Sequence, residues 1–413
     1  MDKPRVVVTG LGAVTPMGNS TDEFWRRLVA GESGVGPITA FDASDFSTHF
    51  AAEVKDFDSE ALLGKREARR LDRFSQYAVV AAREAIQDAQ LPQDEAFKER
   101  VGSVLGTGIG GILTFWHNSD IASKNGTWSK VTPFFIPMLM ANAAPAHISM
   151  MFGFRGPFFS AASACASAND ALVTAYNMIL NGDALAMVAG GTEATISPLA
   201  LGGFCSMKAL STRNDDPAKA SRPFDRERDG FVLAEGAGIL VLENYEHAKA
   251  RGAKIYCEML GYGQSADAYN LVAPDPGSHG VELALRRSLV KSSITAGDVD
   301  YINAHGTSTP QGDVAESQAI SRVFGAEAQL AVSSTKSMHG HALGAAGGIE
   351  GVATALSVLH DIMPPTINYD FPDPECALDY VPNIARKGPV NIALSNSFGF
   401  GGHNSVLVFG KPR

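Results

Sequence analysis

Ser160-Ala161-Ala162-Ser163-Ala164-Cys165-Ala166-Ser167-Ala168-Asn169-Asp170 runs from a strand-like end through a turn of small residues into a helix extending to Asn181. A second passage, 332–361, repeats the plan: a short β-branched run, the turn Gly340-His341-Ala342-Leu343-Gly344-Ala345-Ala346-Gly347, then another helix of small residues. Small side chains at such turns let one backbone approach another closely. The repetition hints at a duplicated α/β chain, although all α/β units share this coarse pattern.

Outward from these units, apolar or β-branched runs at 5–9, 101–106, 185–190, 238–242, 255–261, 299–304, 330–333, 391–395 and 405–409 read as strands. Stretches at 21–30, 73–90, 166–181, 281–291, 314–324 and 343–361 read as helices. The alternation predicts an α/β protein with mostly parallel strands. No linker-like or low-complexity tract divides the 413 residues, so one unit of two halves is expected.

Composition narrows the function. With 44 acidic against 34 basic side chains the net charge is −10, which argues against nucleic-acid binding because phosphate neutralisation needs surplus Lys and Arg. Hydrophobic residues at 45% with only 19% charged residues supply a large core and exclude general disorder. Cys165, Cys205, Cys257 and Cys376 form no C-x-x-C pair, so a reducing compartment is expected. The first residues run into a strand without a signal-peptide pattern, and a cytoplasmic location is the expectation. Residues 131–154 carry no Asp, Glu, Lys or Arg, but Pro133, Pro137, Asn142, Pro145 and His147 interrupt them. They are read as a buried or subunit-interface segment rather than a membrane span.

Four segments carry chemistry. Cys165 precedes a helix, where orphan N–H groups and the dipole favour thiolate; by itself the motif fits a buried inert cysteine better. Asn303-Ala304-His305-Gly306-Thr307-Ser308-Thr309-Pro310 places a histidine at a strand's C-terminal end, where α/β sheets present functional groups. Thr307 and Thr309 either bind an amide-bearing ligand arm or cap the next helix, and capping is the simpler role. Lys336, His339 and His341 precede a Gly/Ala turn, with Glu350 following; His-x-His raises a weak metal reading, a hydrolase using His339 and His341. Ser397-Phe398-Gly399-Phe400-Gly401-Gly402-His403 is a glycine-rich loop whose phenylalanines need something apolar to cover, unless it is a plain hairpin turn.

Jointly, these segments resemble the β-ketoacyl-[acyl-carrier-protein] synthases, in particular the elongating type II enzymes of fatty-acid synthesis. Val8-Thr9-Gly10-Leu11-Gly12, Leu210-Ser211-Thr212-Arg213-Asn214-Asp215 and Ser221-Arg222-Pro223-Phe224-Asp225 extend the resemblance along essentially the whole chain. It implies a thiolase-like fold of two similar halves, 1–253 and 254–413, stacked as five αβαβα layers, and a homodimer. It implies decarboxylative condensation of malonyl-[acyl-carrier-protein] with an acyl chain on Cys165, giving 3-oxoacyl-[acyl-carrier-protein] and CO2. His305 and His341 would hold the enolate, Lys336 would support them, and the backbone N–H groups of Cys165 and Phe400 would form the oxyanion hole.

The same resemblance places Thr307 and Thr309 on the pantetheine arm, Phe398 and Phe400 at a gate, and Ile109 in the acyl pocket. Lys65, Arg66, Arg69, Arg70, Lys208 and Arg213 would dock the acidic acyl- or malonyl-loaded carrier protein. Asn303, Glu350, Ser395 and Asn396 match a structural Na+ or K+ site; failing a cation, Glu350 needs a salt bridge such as Lys336. No cofactor is expected for catalysis. His339 stands where the family commonly has Thr, and Asn270 replaces a common histidine, both bearing on substrate preference. A single-domain polyketide ketosynthase shares the catalytic residues and is the nearest alternative. A non-catalytic chain-length partner would lack Cys165.

Overall fold

The computed structural model describes residues 4–325 and 329–412. The main sheet takes its strands in chain order as β1 (Val6–Val14), β2 (Val101–Gly106), β3 (Phe158–Ala161), β4 (Ala186–Glu193) and β5 (Gly236–Asn244). Then follow β6 (Cys257–Ala266), β7 (Tyr301–Asn303), β8 (Ala331–Ser333), β9 (Ile392–Gly399) and β10 (His403–Gly410). Across the sheet they lie in the order β8-β7-β9-β10-β6-β1-β5-β4-β2-β3.

Counted outward from the centre, each set of five runs first, fifth, fourth, second, third. The two sets therefore share one topology, and they meet where Val6, Val7 and Val8 of β1 pair with Met259, Glu258 and Cys257 of β6. The expectation of mostly parallel strands is corrected. Only the two outermost pairings at each end are parallel, whereas the five central ones are antiparallel. Long central strands pair with neighbours running the opposite way, and alternation in sequence does not reveal that direction.

Five helices build the layers: α1 (Arg73–Ala89), α2 (Ser167–Asn181), α3 (His279–Ser292), α4 (Pro310–Phe324) and α5 (Ala346–His360). α1 covers β1, β4 and β5 from outside, and α3 covers β6 and β10. Between the two sets lie α2 and α5, with α2 against β2, β4 and β10 and α5 against β4, β5 and β9. This is the five-layered thiolase-like arrangement. α1 begins where the Asp72 carboxylate accepts from the Phe74 N–H, and ends at left-handed Gln90 with φ 48°.

Both central helices require glycine beneath them. A Cβ on Gly106 would lie 2.2 Å from the Ser167 carbonyl carbon, and one on Gly238 2.2 Å from that of Gly348. The stretch Leu343–His360 is long and apolar enough to cross a membrane, yet 89% of it is buried inside the fold, so it is a core element. Residues 131–154 are not simply buried. Ala143–Phe152 is a helix with Ala143, Ala144, Pro145 and Ile148 buried, whereas Ile136, Met140, Met150 and Met151 are exposed.

Candidate active site

β3 hands the chain to the one-turn helix Ala164–Ala166, which leads into α2; Ala164 takes φ 50°. β8 likewise leads, by way of Lys336–His339, to the turn Leu343–Ala345 and α5, with Leu343 at φ 47°. Each half thus turns a left-handed corner before its central helix. That corner presents Cys165 in one half and follows His341 in the other. His305 comes from just beyond β7, and Phe398 to Phe400 from the end of β9.

These corners converge. His341 Nε2 lies 3.0 Å from Cys165 Sγ, and the His305 ring centroid is 5.3 Å from that of His341. Phe398 packs edge-on to His305 at 5.7 Å, and Phe231 to His341 at 5.4 Å. All open on a cavity of about 600 Å³ also lined by Ile109, Lys208, Thr307, Thr309 and Phe400.

Electrostatics separate the groups. Burial, then the Lys336 charge and the neighbouring histidine, hold His305 and His341 well below the ordinary histidine range, so both imidazoles are neutral at pH 7. The expected resting thiolate is corrected. Burial pushes the Cys165 thiol up to about 11, although Lys336 and the N–H groups of Phe400 and Cys165, both directed at sulfur, pull the other way. Desolvation outweighs the helix end. Lys336 is itself buried and ion-paired with Glu350, whose carboxyl burial pushes up to about 7.

Several expected roles change on inspection. Thr309 occupies the N-cap position of α4 but makes no capping hydrogen bond; its hydroxyl meets that of Thr307 at 3.1 Å on the cavity wall. Ile109, by contrast, lines the cavity with 44% of its surface exposed, in keeping with its expected place. His339 does not join a metal cluster, because its Nε2 is 3.0 Å from the Thr335 hydroxyl. Among the described residues, only Cys165, His305 and His341 bring three metal-capable atoms together, within 4.8 Å.

Asn270 is exposed and accepts from the N–H groups of Val272 and Ala273, shaping a turn outside the cavity lining. Of the basic residues, Lys208 reaches the cavity. Lys65, Arg66, Arg69, Arg70 and Arg213 do not line it; Arg69 lies 3.6 Å from Glu60, Arg70 stacks over Phe134, and Arg213 donates to the Glu227 carbonyl. The Glu350 Oε2, the Ser395 hydroxyl and the Asn396 amide oxygen are each buried without a partner; Asn303 accepts from Thr335 and its amide reaches the Glu350 carbonyl, while Asn396 donates to Glu316.

Residues 3–248 match the family described as Beta-ketoacyl synthase, N-terminal domain, and residues 256–370 the one described as Beta-ketoacyl synthase, C-terminal domain. The chain belongs to the β-ketoacyl synthase family. Among curated relatives, the 3-oxoacyl-[acyl-carrier-protein] synthase 2 of Synechocystis sp. is 51% identical over 412 residues, covering 100% of this chain and 99% of that one. Its namesake from Coxiella burnetii is 49% identical at the same coverage. Solved ketosynthases superpose throughout. The ishigamide ketosynthase/chain length factor gives a TM-score of 0.94 at 34% identity, covering 100% of both chains. A type II polyketide ketosynthase in complex with its acyl-carrier protein gives 0.92 at 36%, again covering 100% of both chains.

In this ketosynthase, two buried glutamates that the sequence reading passed over hold the site together. Glu316 accepts from the N–H groups of His305 and Gly306 and from the Asn396 amide, fixing the histidine's backbone. Glu193 accepts from the Thr107 hydroxyl and from the N–H groups of Gly108, Ile109 and Gly344, tying the acyl-pocket segment to the turn after His341. A signal existed for Glu316. It shares a helical face with buried Asp313 and Ile320, an odd place for a carboxylate without work. Glu193, at the end of β4, carried none.

Proposed function

We propose that this ketosynthase elongates acyl chains by decarboxylative condensation of malonyl-[acyl-carrier-protein], as one unit of two thiolase-like halves, 1–253 and 254–413. The observation that carries this is the convergence of Cys165 and two neutral imidazoles on the wall of a largely apolar cavity. Cys165 attacks the incoming acyl thioester, and its proton leaves with the pantetheine sulfur. Malonyl thioester then loses CO2, and the enolate oxygen takes hydrogen bonds from His305 and His341. The enolate carbon attacks the acyl-Cys165 carbonyl, and that oxyanion accepts from the N–H groups of Cys165 and Phe400 before the thiolate departs. Donors already in place avoid reorganisation, and each is worth roughly a hundred- to a thousandfold in rate.

Lys336, held by Glu350, supplies the positive charge behind the imidazoles. Thr307 and Thr309 receive the pantetheine amides. Phe398 and Phe400 gate the acyl chamber, and Ile109 limits its depth. Greater identity to the 3-oxoacyl-[acyl-carrier-protein] synthase 2 relatives than to the polyketide ketosynthases favours fatty-acid elongation. The partner is a carrier protein, steered to Lys208 at the mouth and to the outlying Lys65, Arg66, Arg69, Arg70 and Arg213 by charge. The unpartnered oxygens of Glu350, Ser395 and Asn396 fit a monovalent Na+ or K+, with Asn303 completing the set; bound there, it would balance buried negative charge. A homodimer in the cytoplasm completes the reading.

Cys165→Ala tests it. The variant is expected to form no acyl-enzyme by intact-mass measurement and no condensation product, while still releasing some CO2 from malonyl carrier protein through the histidine pair. Full elongation by that variant would refute the assignment.

A further inference from the structure

Cys165, His305 and His341 have a second chemical capability that condensation does not use. Each offers one ligand atom, one sulfur and two imidazole nitrogens, all within 4.8 Å of one another. A tetrahedral zinc ion with Zn–S of about 2.3 Å and Zn–N of about 2.0 Å sets its S···N separations near 3.5 Å. His341 Nε2 stands at 3.0 Å from Sγ and the remaining donor pairs lie within 4.8 Å, so closing on an ion asks for the first pair to spread slightly and for His305 to adjust by side-chain rotation beside the open cavity. The Lys336 charge that disfavours protonation of both imidazoles also works against a cation there, but Lys336 is paired with Glu350, and the Cys165 thiolate brings a compensating negative charge. The N–H groups of Cys165 and Phe400 directed at sulfur would also support a metal-bound thiolate.

We infer that these three side chains form a binding site for one thiophilic divalent cation, zinc above all, whose occupancy blocks acyl loading. Two nitrogens and a thiolate are a donor set that zinc accepts, and the fourth position faces the cavity, where water completes the tetrahedron. Binding is a ligand exchange without redox change. The hydrated ion exchanges waters for two imidazoles and the sulfur, and the thiol proton passes to solvent. A resident zinc site usually anchors the far nitrogen of each histidine on a carboxylate or carbonyl. Here Nδ1 of both His305 and His341 is buried without a partner. The site therefore suits a reversible, inhibitory ion rather than a structural one.

The test reads binding without turnover, so its failure leaves the condensation proposal standing. The full chain, reduced and exchanged into thiol-free buffer, is titrated with zinc chloride, and bound metal is measured by native mass spectrometry and equilibrium dialysis. The expected result is one equivalent per chain, loss of Cys165 alkylation by iodoacetamide in peptide maps, and recovery of alkylation on adding EDTA. Cobalt chloride should give a thiolate-to-cobalt charge-transfer band. Cys165→Ser should lose both the band and the bound equivalent. Wild-type protein pre-alkylated at Cys165, whose fold needs no further checking beyond its melting curve, should lose them too. No bound equivalent in the wild type, or one that survives in Cys165→Ser or after alkylation, overturns the inference, the second outcome assigning the ion to other histidines.

Discussion

At the scale of single residues, burial drives the titrating groups of the site toward their neutral forms. Glu193 is fully buried, and desolvation beats four hydrogen bonds to push its carboxyl up to about 7. The folded protein therefore keeps this proton up to about pH 7, while the unfolded chain releases it in the ordinary glutamate range. Between those limits the folded state binds more protons, so this group's contribution to stability falls as pH rises, by about 3 kcal/mol at full effect. Glu193→Gln removes that dependence and also leaves four donors, three of them backbone N–H groups, with a single amide oxygen. Thermal unfolding at pH 5 and pH 7 should show a variant less stable at both, with a smaller difference between them than the parent. An unchanged pH difference would mean that Glu193 is ionised throughout. Cys165 follows the same physics, since its place at a helix end was legible and its desolvation was not.

Elements succeed or fail as units. The strand positions and five main helices follow from runs and spacing, with ends displaced by a few residues. Strand β3 is absent from the apolar runs, because it is four residues long, lies at the sheet edge and leaves Phe158 and Phe159 exposed. α5 is buried around nearly its whole circumference, and it lies between two sets of strands rather than on one. Close approach is the condition for that position. Gly106→Val should drive α2 off β2, since its Cβ would meet the Ser167 carbonyl carbon and the Ala168 nitrogen. Overpacking of this kind costs roughly 1–3 kcal/mol, and backbone on both sides offers no flexible end to yield. Urea unfolding should show that loss together with slower alkylation or loading of Cys165, because the one-turn helix that carries the cysteine leads directly into α2; a midpoint matching the parent would contradict the packing argument.

Over the whole molecule, the exposed edge strand β3 lies in a chain whose surface also shows Trp128, Ile136, Met140, Met150 and Met151. An uncovered edge beside the helix Ala143–Phe152, with its exposed Met150 and Met151, invites a second copy. On the proposed homodimer reading, replacing Ile136 and Met150 with Glu is expected to leave the protein monomeric in sedimentation at micromolar concentration where the parent is dimeric, with activity falling accordingly. A parent that sediments as a monomer would end this expectation. By itself the sequence determined the family, the main strands apart from β3, the main helices and the identity of the cysteine, histidines and lysine, because those rest on local spacing and residue chemistry. Only the tertiary structure decided the antiparallel centre of the sheet, the protonation of Cys165 and the roles of Glu193 and Glu316. Each of these depends on which distant backbone comes close and how much water it displaces, and the order of residues along a chain does not encode either quantity locally.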